Sequence, residues 1–211
     1  MTHPTILDII LLLATGLTAV YMVWRFWKRY GWEKKVYALY YIMGFAVLFV
    51  SGVLLIFMGY KILETPFVLT VASLIPFGLS VGIVRQYYDK YTKPYIWFAT
   101  IGLLAIAFAA FTGSGLKKFA VPIFHSVAGL IIFLGPFFVK KYGEGNPAKG
   151  FFWVGIGGML IGIGGLALAS LSFGAPLLGI FTAELVFNIL AALLLLMALA
   201  FAWGFMKDIK N

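Results

Sequence analysis

Seven stretches of about 20 mostly apolar residues follow one another along this chain, at approximately 5–24, 36–58, 66–84, 95–112, 119–139, 151–171 and 176–204. At about 1.5 Å per residue, a helix of that length crosses a hydrocarbon core of about 30 Å. The connections are too short to fold separately, so residues 1–211 read as a single transmembrane domain. Only 11% of the residues are charged, whereas a soluble domain needs about a quarter to cover its surface. The expected fold is therefore an all-α polytopic bundle of seven transmembrane helices.

The net charge of +9 would point a soluble protein toward nucleic acid, but its distribution argues for a bilayer. Thirteen of the sixteen Lys and Arg residues lie in 25–35, 85–95, 140–150 and 205–211, and the others are Lys61, Lys117 and Lys118. The positive-inside rule makes the first group cytoplasmic, with the N-terminus outside and the C-terminus inside a cell membrane. Those stretches are also rich in Tyr, Trp and Phe, as an interfacial belt requires. Anionic lipid headgroups are the expected partners of the basic loops, and nucleic acid is not. "MTHPTILDIILLL" has no basic region before its apolar run, so the first helix is expected to be a span rather than a signal peptide. The chain has no cysteine, which excludes disulfides, thiolate metal sites and a cysteine nucleophile.

"PFVLTVASLIPF" (66–77) and "PIFHSVAGLIIF" (122–133) agree at six of twelve positions. Pro176 is expected to open the seventh helix in the same way, with spacings of 56 and 54 residues between these prolines. Proline suits the first helical turn, where its missing N–H would have no acceptor. The expected organisation is one helix followed by three tandem helical hairpins. The sixth helix repeats a glycine pattern: Gly155, Gly157 and Gly158, then Gly162, Gly164 and Gly165. Small residues let membrane helices approach closely, so these six glycines are expected to form a packing face. A homo-oligomer or a membrane partner could use the same face.

Ionisable groups inside a span are costly and are the first functional candidates. Asp8, His125 and Glu184 are the three picked out, with Asn188 one turn beyond Glu184. Counting along helices that run from outside to inside, His125 lies about 9 Å and Glu184 about 12 Å from the outer ends. A shared depth predicts a common outward-facing polar cavity, where a His–Glu pair could relay a proton. Asp8, nearer the surface, also reads as a partner of its own helix dipole.

Several seven-helix or metal-bearing families are excluded by single residues. The retinal-binding lysine of microbial rhodopsins is missing from the seventh helix. Two histidines cannot supply the three zinc ligands of adiponectin-receptor-like hydrolases, nor can His3 and His125 both be intrahelical haem ligands. No metal site is expected, and no cofactor is indicated. The leading reading is movement of a small solute or ion, proton-coupled or not, through an outward-facing cavity near Glu184 and His125. The alternative is a non-catalytic packing or sensing subunit that binds lipid, quinone or a partner protein. An intramembrane enzyme is the third class.

Overall fold

The computed structural model describes residues 3–144, 146–172 and 182–209, and all regular structure among them is helical. The helices are α1 (Ile6–Glu33), α2 (Tyr37–Met58), α3 (Pro66–Ala72), α4 (Leu74–Tyr87), α5 (Thr92–Phe111), α6 (Lys117–Tyr142), α7 (Phe152–Ser172) and α8 (Ala183–Ile209). Short 3-10 turns at Tyr60–Glu64 and Asp89–Tyr91 join them. α3 and α4 act as one span, Pro66–Tyr87, which leaves seven helical segments among the described residues. Six spans are long and apolar enough to cross a membrane, and α7 is apolar over Phe152–Leu166. The chain is a multi-pass helical membrane bundle.

The helices outlast their apolar runs at the basic end. α1 continues to Glu33 instead of stopping near 24, and α8 continues to Ile209 instead of 204. Lys and Arg are good helix formers, and their long stems carry the charge to water from an interfacial turn. Hydropathy therefore fell before the backbone changed. α8 begins at Ala183, whereas its expected proline start, Pro176, lies outside the described residues. Charge divides completely between the two ends. Lys61, Lys117 and Lys118 balance Asp8, Glu64 and Glu184 at the far end, leaving the whole excess of +9 at the basic end.

The two similar segments at 66–77 and 122–133 fold differently. Pro66 occupies the first turn of α3, but Pro122 lies inside α6, which has already started at Lys117. The chain breaks at Ser73, where Pro76 has no N–H to return to the Ala72 carbonyl and its ring crowds the preceding turn. Ser73 Oγ then donates to the Leu69 carbonyl at 2.8 Å. The matching residue in α6 is Ile132, and that helix runs on unbroken.

α1 packs on α2, α2 on α4, α4 on α6, α6 on α7, α7 on α8, and α8 returns to α1. α5 lies outside this ring, against α3, α4 and α6. The ring is filled near its basic end by Phe26, Tyr41, Phe45, Phe151, Phe201 and Phe205, all 0–1% exposed. Phe26 and Tyr41 stand 4.7 Å apart between ring centroids, and Tyr41 and Phe205 stand 4.6 Å apart. Glycines let backbones meet around this core. A Cβ at Gly204 would lie 2.6 Å from Val154 N, and one at Gly158 would lie 2.7 Å from Phe133 N. At Gly155 it would lie 2.6 Å from Phe133 O, and at Gly157 it would strike the Phe201 ring at 2.5 Å. Farther along α7 the pattern loosens. Gly164 still meets Leu193, but Gly162 and Gly165 have nothing within 4 Å among the described residues.

That contrast sets a test. Gly158→Ala and Gly204→Ala should each destabilise the protein by about 1–3 kcal/mol through overpacking against backbone. Gly162→Ala should be neutral or stabilising, because alanine favours helix by up to about 1 kcal/mol over glycine. Thermal unfolding in detergent should separate the two groups.

Candidate functional site

Polar side chains gather at both ends of α1 and α8. At the basic end, Asp208 on the last turn of α8 is 7% exposed. It sits on the buried stripe of that helix, following Met197, Phe201 and Phe205 at helical spacing. Arg29 similarly continues the buried stripe of Thr15, Ala19, Met22 and Phe26 on α1. Helical periodicity therefore aims both charges at the interior.

They meet there. Arg29 Nη1 donates to Asp208 Oδ2 at 2.8 Å, and Gln86 Nε2 donates to the same oxygen at 2.8 Å. The Tyr87 hydroxyl donates to Oδ1 at 2.6 Å. The donors are themselves held: Tyr41 donates to Gln86 Oε1 at 2.9 Å, and Arg29 Nε donates to Glu33 Oε1 at 2.7 Å. The Tyr37 hydroxyl donates to Glu33 Oε2, and its ring lies 5.2 Å from the Arg29 guanidinium. The three-residue turn after Glu33 makes that contact possible. Its first residue, Lys34, adopts φ +53°, the left-handed conformation that reverses the chain into α2. Gly82 leaves the space that Tyr41 fills, since a Cβ there would stand 2.4 Å from the ring. Four helices, α1, α2, α4 and α8, are thus tied by one charge-assisted network.

The far end is less saturated. Thr5 and Asp8 form a capping box at the start of α1, with Asp8 Oδ2 accepting from Thr5 N and Oγ1, both at 2.9 Å. Tyr60 is 4% exposed, and its hydroxyl faces the Asp8 carboxylate without a hydrogen bond of good geometry among the described residues. Burial, with the Asp8 carboxylate nearby, pushes this phenol up to about 12. The Tyr60 ring lies 5.7 Å from Phe187 on α8. Glu184 is in the first turn of α8, one turn before Phe187, and Asn188 follows it; both are exposed. Asp8, Glu184 and Asn188 therefore lie at the far ends of two helices that pack together, with Asp8 and Phe187 the residues beside Tyr60.

His125 is not brought to this group. Its Nδ1 is 3.0 Å from the Val121 carbonyl of its own helix, and its ring lies 6.1 Å from Phe77 on α4. α7 stands between α6 and α8 in the ring, and Glu184 lies in the exposed first turn of α8 while His125 lies about two turns into α6. Sequence reasoning missed Arg29, Asp208, Gln86, Tyr87, Tyr41 and Tyr60. For Arg29 and Asp208 the signal was present, because both extend apolar stripes by one helical step. For Tyr60, placed by a 3-10 turn, it was not. Among the described residues, no three His, Cys, Asp or Glu side chains are grouped to hold a metal ion.

Removing one member of the ion pair leaves the other charge buried. Asp208→Ala or Arg29→Ala should therefore cost about 3–5 kcal/mol in denaturant unfolding. The double variant Arg29→Met with Asp208→Leu should cost far less than the two single losses added together, because both charges leave at once.

No family model matches this chain, and no curated protein or solved structure matches it.

Proposed function

We propose that this bundle moves a small solute or an ion, proton-coupled or not, across a cell membrane with its basic end in the cytoplasm. The far end then holds the entry site, where Asp8, Tyr60, Glu184 and Asn188 receive the cargo. The Arg29–Asp208 network is the closed cytoplasmic end, backed by the aromatic plug of Phe26, Tyr41 and Phe205. His125 keeps at most a relay role at the α4–α6 seam, because its ring nitrogen is engaged with its own helix.

One observation carries this reading: a buried ion pair between α1 and α8 centres a network that ties four helix ends, where packed apolar side chains would serve stability as well or better. A pair that can separate is useful at a gate, since each partner can return to water at the nearby interface. The buried Tyr60 hydroxyl facing the Asp8 carboxylate supports the far end as the loading side. Close glycine contacts at Gly155, Gly157, Gly158 and Gly204 fit a bundle packed tightly near its basic end.

Flux into liposomes tests it, using a panel of cations, protons and small polar solutes. The parent protein should carry at least one of them above the rate of empty liposomes. Glu184→Gln and Tyr60→Phe should slow that flux by about 10–100-fold, the value of one lost hydrogen bond to a charged group. Asp208→Asn should change gating instead, raising leak in the absence of a gradient partner. A parent that carries nothing, or variants that all match it, would remove the transport reading.

A further inference from the structure

Two apolar grooves flank the lipid-facing ridge of α8, and they share Leu199 and Trp203. One, of about 510 Å³, lies between α1 and α8 and runs from Leu17 past Tyr21 to Met206 and Lys207. The other, of about 390 Å³, lies between α7 and α8. Leu17, Leu199 and Trp203 are 72%, 48% and 56% exposed, so the grooves open outward from the bundle. Their upper walls are hydrocarbon, and their basic end is not. Lys207 Nζ lies 4.7 Å from the Trp203 ring, and Arg25 Nη1 reaches the Tyr21 hydroxyl at 3.4 Å. Two cations and a phenol thus close one end of an otherwise apolar trough, at the level where headgroups begin.

The geometry points to a specific site for one anionic phospholipid on α8, with an acyl chain in each groove and its phosphate between Lys207 and Arg25. Charge complementarity sets the occupant. A zwitterionic lipid satisfies the grooves equally but brings no net negative charge to the two cations. The Trp203 ring beneath Lys207 and the Tyr21 hydroxyl that accepts from Arg25 hold the two cations at the interface, where attraction to anionic lipid is worth most. The site is independent of whether the bundle transports anything, because it lies on the outer surface of the ring.

Native mass spectrometry of the full chain released from vesicles of equimolar phosphatidylglycerol and phosphatidylcholine tests the assignment. The parent should retain phosphatidylglycerol in preference. Lys207→Gln and Arg25→Gln should each lower that preference by about fivefold, while Lys90→Gln and Lys93→Gln, beside α5, should leave it intact. Leu199→Trp, or Ala202→Leu if the first fails to fold, should reduce retention of both lipids by filling the grooves. An unchanged preference after Lys207→Gln with Arg25→Gln would overturn the site. An equal loss from the lysines beside α5 would do the same, because binding would then belong to the basic surface as a whole.

Discussion

A carboxylate taken out of water at a helix end must find a counter-charge and enough donors to replace its hydration, and Asp208 finds both. Its three donors come from two helices other than its own, and none of the three can be supplied without fixing that helix's rotation. Arg29 sets the rotation of α1, while Gln86 and Tyr87 set that of α4. Once Asp208 faces inward, Phe205 and Phe201 follow on the same face of α8 and must meet Phe26, Tyr41 and Phe45. The register of the aromatic core is thus a consequence of where one charge is satisfied. Gly82 belongs to the same constraint, because any side chain there would displace the Tyr41 ring that orients Gln86.

α1 and α8 carry polar groups at both ends, Asp8 with Arg29 and Glu184 with Asp208. The two positions on α1 are about 32 Å apart along the axis, close to the thickness of a bilayer core. In the proposed reading, this pair of helices is the element that couples loading to release. A small slide or rotation of α8 against α1 would separate Arg29 from Asp208 at one end and move Glu184 relative to Tyr60 at the other. Packed interfaces shift between discrete arrangements rather than deforming smoothly, which suits a two-position gate.

Hydropathy made the seven helical segments legible because span length is set by the bilayer, and the bilayer is the same for every helix. It did not locate the ends of α1 and α8, since basic residues lower hydropathy without breaking a helix. Asp208 falls within the basic stretch 205–211 for that reason, although its spacing from Phe201 and Phe205 marks it as buried. The equal depth of His125 and Glu184 rested on a helix start at Pro176, whereas α8 begins at Ala183 among the described residues and leaves Glu184 exposed in its first turn. Azimuth was not legible either. Two residues at one level share a cavity only if their helices are neighbours, and ring order emerges from packing rather than from the chain. The segment match between 66–77 and 122–133 shows the same limit: the chain breaks at Ser73 before Pro76, while α6 runs unbroken past Ile132 and through Pro136.

Lys207 and Asp208 are adjacent in sequence and turned about 100° apart on α8, so one faces the lipid groove and the other the bundle. The backbone between them belongs to a single turn. Whatever fixes Lys207 in place also restricts the rotation of that turn, and with it the approach of Asp208 to Arg29. An anionic headgroup bridging Lys207 on α8 and Arg25 on α1 would draw together the same two helices that the buried ion pair joins, on the opposite side of their seam. The lipid and the ion pair then act as parallel clasps on one joint. If the joint is the gate, the anionic content of the surrounding leaflet weights its closed position by the difference in lipid affinity between the two positions, and by no more than that.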